Sequence, residues 1–268
     1  MSRPALFATD LDGTLLRSDG SLSEGTRRVL AAVEEAGVPV VFVTGRPVRW
    51  MESLWEVVGA HGVAIVSNGA VLYDVAQRAV RRVDGLAPEP GLALAETLRA
   101  VVPGPRFAIE CLEGLRLEPD FHDAHRVPPG ARVGPLAHVW DDVAVKLLVR
   151  HKGADDDVLA AVHATVGHGA VATWSMPGLL EISAPGVTKA AALERLCAEL
   201  GIGAQEVVAF GDMPNDLAML GWAGTSYAVA NAHPAVLRAA DHTTAANDED
   251  GVAREMARLV GITDDLVQ

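Results

Sequence analysis

Cysteine, aromatic side chains and positive charge are all scarce in this chain of 268 residues. Its two cysteines, Cys111 and Cys197, lie far apart and in no metal-like spacing. A disulfide framework is therefore excluded, and two reduced, partly buried thiols are expected. Aromatics make up 4% of the residues, so a core must be built mainly from Ala, Val and Leu. Lys and Arg number 22 against 35 Asp and Glu, a formal net charge of -13. That balance argues against nucleic acid or an anionic membrane surface as the main partner. A phosphorylated small molecule stays open, because a bound divalent cation inverts the local field. No apolar run is long enough to span a membrane, and the few residues before Asp10 are too short for a signal peptide. The chain is accordingly expected to be cytoplasmic, and no apolar seam assigns it an oligomeric state.

What the chain does have is apolar content, half of all residues, arranged in alternating segments. Leu6–Thr9, Val38–Val43 and Val63–Val66 read as buried parallel strands. Ser23–Ala36 and Pro47–Val58 between them carry helical spacing, with Ser23 as N-cap, Gly37 as stop and Pro47 in a first turn. The alternation resumes late: helix Lys189–Leu200, strand Val207–Phe210, helix Pro214–Leu220, strand Thr225–Val229. The expected fold class is α/β, a doubly wound parallel sheet of Rossmann-like type with right-handed crossovers. Between these halves the character changes. Helices are expected at Gly91–Val101 and Asp155–Val166, and strands at Arg106–Cys111, Val143–Arg150, Val171–Trp174 and Leu179–Ser183. An irregular Pro- and Gly-rich loop covers Val127–Pro135. This predicts a core from residues 1–82 and 184–268, interrupted by an inserted α/β domain at 83–183. The Asp155-Asp156-Asp157 run suits a solvated helix N-terminus, and His122 and His125 are read as solvent-facing rather than as a metal pair.

The chemistry begins at Ala5-Leu6-Phe7-Ala8-Thr9-Asp10-Leu11-Asp12-Gly13-Thr14, where an apolar strand ends in two aspartates one residue apart. Carboxylates held that close repel unless a cation lies between them. In open α/β sheets, ligands sit beyond the C-terminal ends of the strands. The residues that follow the other expected core strands are Thr44-Gly45-Arg46, Ser67-Asn68-Gly69 and Gly211-Asp212-Met213-Pro214-Asn215-Asp216, and they share that crevice. Acids from two distant segments, with a hydroxyl and an amide, make a hard-oxygen site suited to Mg²⁺, and Lys189 is placed to neutralise a phosphate. Singly, each has an ordinary reading: Asp10, Asp12, Thr44 and Asn68 as turn residues, Asp216 as a cap, Lys189 as a surface lysine. Their joint occurrence at strand ends is what points to a site.

These motifs resemble, essentially end to end, the haloacid dehalogenase superfamily, and within it the Cof-like (type IIB) sugar-phosphate phosphatases with a type C2B cap. Asp10-Leu11-Asp12-Gly13-Thr14, Val43-Thr44-Gly45-Arg46-Pro47, Lys189 in Gly186-Val187-Thr188-Lys189, and Gly211-Asp212 through Asn215-Asp216 match its four motifs. Ser67-Asn68-Gly69-Ala70 and Asn247-Asp248-Glu249-Asp250-Gly251-Val252 look like the same branch. The resemblance implies Asp10 as nucleophile and Asp12 as acid and base. Mg²⁺ would lie on Asp10, the Asp12 carbonyl and Asp212, with Asn215 and Asp216 ordering Lys189 and the metal's water. Leu11, Thr44, Gly45, Asn68, Lys189 and Asn215 would meet a small phosphorylated metabolite. Sugar phosphates are the branch's usual substrates; nucleotides, glycosyl-phosphoglycerates and pyridoxal phosphate are the others it suggests. Rival readings are a phosphomutase or phosphotransferase sharing the aspartyl-phosphate step, and a non-catalytic phosphate-binding protein. Ala190 and Ala230 stand where the family pattern has glycine, and neither removes a catalytic group.

Overall fold

Leu6–Thr9 (β1) is buried along its whole length, and its position explains most of the rest. The computed structural model describes residues 3–57, 62–121, 127, 129–152 and 154–262. Among these, two sheets form. The larger contains β1, Val40–Val43 (β2), Val63–Val66 (β3), Val71–Asp74 (β4) and Ala79–Val83 (β5). The smaller is built from Arg106–Cys111 (β6), Gly114–Leu117 (β7), Arg132–Val133 (β8), Ala144–Arg150 (β9), Val171–Met176 (β10) and Leu179–Ser183 (β11). Val207–Gly211 (β12), Thr225–Val229 (β13) and His242–Thr244 (β14) then return to the first sheet.

The first sheet has the order β14-β13-β12-β1-β2-β3-β4-β5. From β14 to β3 every pairing is parallel. The chain runs outward from β1 in one direction and from β12 in the other, so the strand order reverses between these two neighbours. Right-handed crossovers then place helices on both faces. Glu24–Glu35 packs with Gly251–Val260, and Lys189–Leu200 packs with Leu217–Trp222. Caps act where the sequence places them: Ser23 Oγ accepts from the Thr26 amide at 2.9 Å, and Gly37 takes a left-handed φ of 82° past the helix end.

Three expectations need correction. The sheet is not wholly parallel, because β3, β4 and β5 form an antiparallel edge. Only Ser67–Gly69 and Ala70 separate β3 from β4, far too few residues for a parallel crossover. Pro47–Val58 is not an α-helix but two 3₁₀ turns, Val48–Trp50 and Glu52–Val57, with Pro47 extended ahead of the first; Val58 lies outside the described residues. Its apolar residues Val48, Met51 and Leu54 recur every three positions, the spacing that stacks side chains in a 3₁₀ helix. The Val127–Pro135 segment includes one short strand, β8.

The second sheet, order β10-β11-β9-β6-β7-β8, is antiparallel apart from β7 with β8. Alternation along its strands divides the faces. Phe107, Ile109, Leu147, Val149, Leu180 and Ile182 join the main core, while Ala108, Leu148 and Leu179 belong to a separate small cluster. Glu110, Lys146 and Glu181 share that second face by the same alternation, and Glu110 and Lys146 are cross-strand partners. Asp155, Asp156 and Asp157 open the helix Asp155–Val166. Cys111 and Cys197 are both buried and free, and burial pushes each thiol up to about 11.

Candidate active site

Where the strand order reverses, the C-terminal ends of β1 and β12 leave a crevice. Asp10 follows β1 and its amide is tied to the Phe210 carbonyl at 3.1 Å. Asp212 follows β12 directly. Gly13, at φ 77°, makes the turn that returns the chain, and a side chain there would collide with the Asp212 carboxylate. Thr14 Oγ1 donates to Asp212 Oδ1 at 2.8 Å.

Lys189 is the buried centre of this cluster. It opens the helix Lys189–Leu200, whose Thr188 N-cap accepts from the Ala191 amide at 3.0 Å. A cation in a first helical turn opposes the helix dipole, so its placement is dictated by tertiary contacts. Lys189 Nζ donates to Asp10 Oδ1 at 2.5 Å and to Asp216 Oδ1 at 2.6 Å. Burial works against the ammonium, but the two carboxylates outweigh it and hold it protonated above its ordinary range. Asp216 gives its other oxygen to the amides of Asp212 and Met213, both at 3.0 Å. Gly69 admits this helix: its φ is 100°, and a side chain would strike the Thr188 carbonyl.

Asp10, Asp212 and Asp216 bring carboxylate oxygens within 4.8 Å of one another. Three buried carboxylates face one ammonium. Burial, reinforced by the neighbouring acids, lifts Asp10 well above the usual carboxylate range and pushes Asp212 up to about 7. An all-oxygen, under-neutralised cluster fits a hard divalent cation. Asp12 lies outside it: its carboxylate, 57% exposed, accepts from Arg46 Nε at 2.6 Å and Nη2 at 2.5 Å.

Above the cluster is a cavity of about 330 Å³, lined on one side by Asp10, Asp12, Thr44, Gly45 and Asn215 and on the other by the second sheet. Thr44 Oγ1 accepts from the Arg46 amide at 3.1 Å. Ser67, Asn68 and Gly69 take successive left-handed conformations after β3. Asn68 consequently reaches both sheets: its Nδ2 donates to Glu181 Oε2 at 2.5 Å, and its Oδ1 accepts from Asn215 Nδ2 at 3.2 Å. Leu11 buries its side chain in the core and does not line the cavity.

A profile of the haloacid dehalogenase-like hydrolases matches residues 7–102 and 136–256. The chain belongs to that family. It is 32% identical over 253 residues to a phosphoglycolate phosphatase of Halorubrum lacusprofundi, covering 94% of this chain and 96% of that one. It is 29% identical to a 5-amino-6-(5-phospho-D-ribitylamino)uracil phosphatase of Bacillus subtilis, with 94% and 96% covered. Among solved structures it superposes on SMU.1108c of Streptococcus mutans with a TM-score of 0.84 at 22% identity, covering 96% and 99%. A haloacid dehalogenase-like hydrolase of Bacteroides thetaiotaomicron gives 0.75 at 26% identity, covering 96% and 100%.

Within this family fold, several polar groups around the crevice are ones the sequence reading did not single out. Lys146 Nζ donates to the Gly45 carbonyl at 2.9 Å and lies 3.1 Å from Glu181. Arg49 makes a two-pronged contact with Glu110 at 2.8 and 2.7 Å. Each of Glu110, Lys146 and Glu181 is a charge in the interior of its strand with an apolar residue on either side, and that pattern was the available signal. Asn231 Nδ2 donates to the Gly13 carbonyl at 2.8 Å, and Asn247, which the sequence did mark as part of a family motif, donates its Nδ2 to the Leu16 carbonyl at 2.9 Å. The Asn247–Val252 stretch thus braces the loop after β1, with Asp250 accepting from Arg17 Nη2 at 2.7 Å. His122, Asp123 and His125 lie outside the described residues. No helix among the described residues is long and apolar enough to cross a membrane.

Proposed function

We propose that this chain is a Mg²⁺-dependent phosphatase of small phosphomonoesters that works through a phosphorylated Asp10. The observation that carries this reading is Lys189 bridging Asp10 and Asp216 beside Asp212, at the point where the strand order reverses. Asp10 and Asp212, with the Asp12 carbonyl, would hold the metal; bound there, Mg²⁺ supplies the counter-charge that lets a carboxylate approach a phosphate. Asp216 spends both oxygens on the protein and so acts by fixing Lys189 and the Asp212 loop.

An Asp10 carboxylate oxygen attacks phosphorus, and the bond from phosphorus to the ester oxygen breaks. Lys189 holds Asp10 in line and offsets charge as it builds on the phosphoryl group, while Thr44 and the amides around it receive the phosphoryl oxygens. Asp12 protonates the leaving alkoxide. Its carboxylate then takes a proton from the water that attacks the phosphorylated Asp10, releasing phosphate and restoring the aspartate. Before substrate arrives, Arg46 holds the Asp12 carboxyl oxygens at 2.6 and 2.5 Å. An incoming phosphate competes for that guanidinium and frees Asp12 to act. The substrate is a small phosphorylated metabolite, with sugar phosphates the first class to try, and the inserted segment 83–183 forms the cap over it.

The test is phosphate release from a panel of monoesters with Mg²⁺ and with EDTA. Metal-dependent release supports the reading; equal rates in EDTA overturn the metal's role. Added acceptor sugars separate the rivals, since transfer outrunning hydrolysis identifies a phosphotransferase.

A further inference from the structure

The leaving-group end of the cavity is charged but balanced. Its wall on the second sheet carries Glu110, Lys146 and Glu181 among the apolar Leu148, Met176 and Leu179. Each cation lining the described cavity already has a carboxylate: Lys146 lies 3.1 Å from Glu181, Arg49 contacts Glu110 at 2.7 Å, and Arg46 holds Asp12 at 2.5 Å. Lys146, Glu110 and Glu181 are all more than nine-tenths buried, so water screens these pairs little.

We infer that this wall selects phosphomonoesters whose leaving group is uncharged, and that Glu181 and Glu110 are the residues that reject an anionic one. The inference rests on the phosphatase reading and narrows its substrate class. A second carboxylate or phosphate entering here meets two buried acids and two cations already neutralised at contact distance. Desolvating it against Leu148, Met176 and Leu179 gains no compensating pair. Hydroxyl groups meet no such penalty, since carboxylate oxygens accept from them and the ammonium donates to them. The consequence runs against the similarity to phosphoglycolate phosphatases, whose substrate leaves as a carboxylate-bearing alcohol.

Phosphoglycolate and 2-hydroxyethyl phosphate differ only in a carboxylate against a hydroxymethyl group, and they isolate this effect. The wild-type enzyme with Mg²⁺ is expected to favour 2-hydroxyethyl phosphate in kcat/KM by about tenfold or more, the scale of one unfavourable buried charge contact. Glu181→Gln keeps the size of the side chain and its acceptor for Asn68 but leaves Lys146 uncompensated. It is expected to shift that preference by about tenfold toward phosphoglycolate. Glu110→Gln does the same through Arg49 and serves if the first variant folds poorly. Equal wild-type kcat/KM for the two esters, or a preference unmoved in both variants, overturns the inference and leaves the phosphatase reading standing. Failure of the wild type to release phosphate from any monoester overturns that reading itself.

Discussion

Two clusters of buried charge face each other across one cavity, and they are built on opposite principles. At the strand ends of the first sheet, Asp10, Asp212 and Asp216 share a single ammonium, Lys189. On the second sheet, Glu110 and Glu181 are matched one for one by Arg49 and Lys146. The first is under-neutralised and calls for an external cation. The second is already neutral and leaves a ligand only hydrogen bonding and apolar contact. Burial makes both assignments meaningful, because in low dielectric an unmatched charge costs several kcal/mol whereas at a surface water would hide it.

The largest expected effect breaks the first cluster at Asp10, the proposed nucleophile. Asp10→Asn should lower phosphate release by about 10⁴-fold or more while circular dichroism stays native, and wild-type rates would remove Asp10 from the chemistry. Next comes a matched pair of lysine deletions. Lys189→Met and Lys146→Met each strand a buried carboxylate and should each cost about 3–5 kcal/mol, a fall in Tm of roughly 10 °C. The comparison predicts that Mg²⁺ recovers part of the loss at position 189 and none at position 146. Equal recovery at both would mean that the clusters do not differ as described.

A smaller effect is a pH dependence of the metal-free protein. Asp10 and Asp212 are raised above their unfolded range, Asp212 to about 7, so the native state holds protons that the unfolded chain has released. Their contribution is fully present below about pH 4 and is lost as pH rises through about 7. Asp248 and Asp250 are held low instead, and they act only at more acidic pH. In EDTA, Tm should therefore drop between pH 5 and pH 8, and the rise produced by added Mg²⁺ should be greater at pH 8. A metal-free Tm that climbs over this interval contradicts the assignment. The smallest effect belongs to Ser23→Ala, remote from both clusters, which should cost about 1 kcal/mol of stability through the lost N-cap and leave kcat unchanged.

The first cluster was legible in the sequence and the second was not. Asp10, Asp12, Thr44 and Asp212 sit in short motifs directly after core strands, and strand-end position alone sends them to one crevice, while Lys189 was legible only as the cation of a motif that opens a helix. Lys146 in Ala-Val-Lys-Leu-Leu and Glu181 in Leu-Leu-Glu-Ile look like isolated polar interruptions. Only cross-strand register puts Glu110 opposite Lys146, and only the seating of the second sheet over the first brings Glu181 to Asn68. The antiparallel edge and the 3₁₀ turns after Pro47 escaped for a related reason. Short elements carry too few residues for periodicity to distinguish them.

By itself, then, the sequence determined the strands β1, β2, β3, β12 and β13, the crevice at the end of β1 and the acidic residues around it, because apolar spacing and strand-end chemistry are local properties. The tertiary structure alone decided that Asp12 rests on Arg46, that Asp216 gives both oxygens to the protein, and that the second sheet meets the cavity with its charges already paired. Those outcomes depend on which side chains from distant segments arrive within 3 Å of each other, and no spacing along the chain encodes that distance.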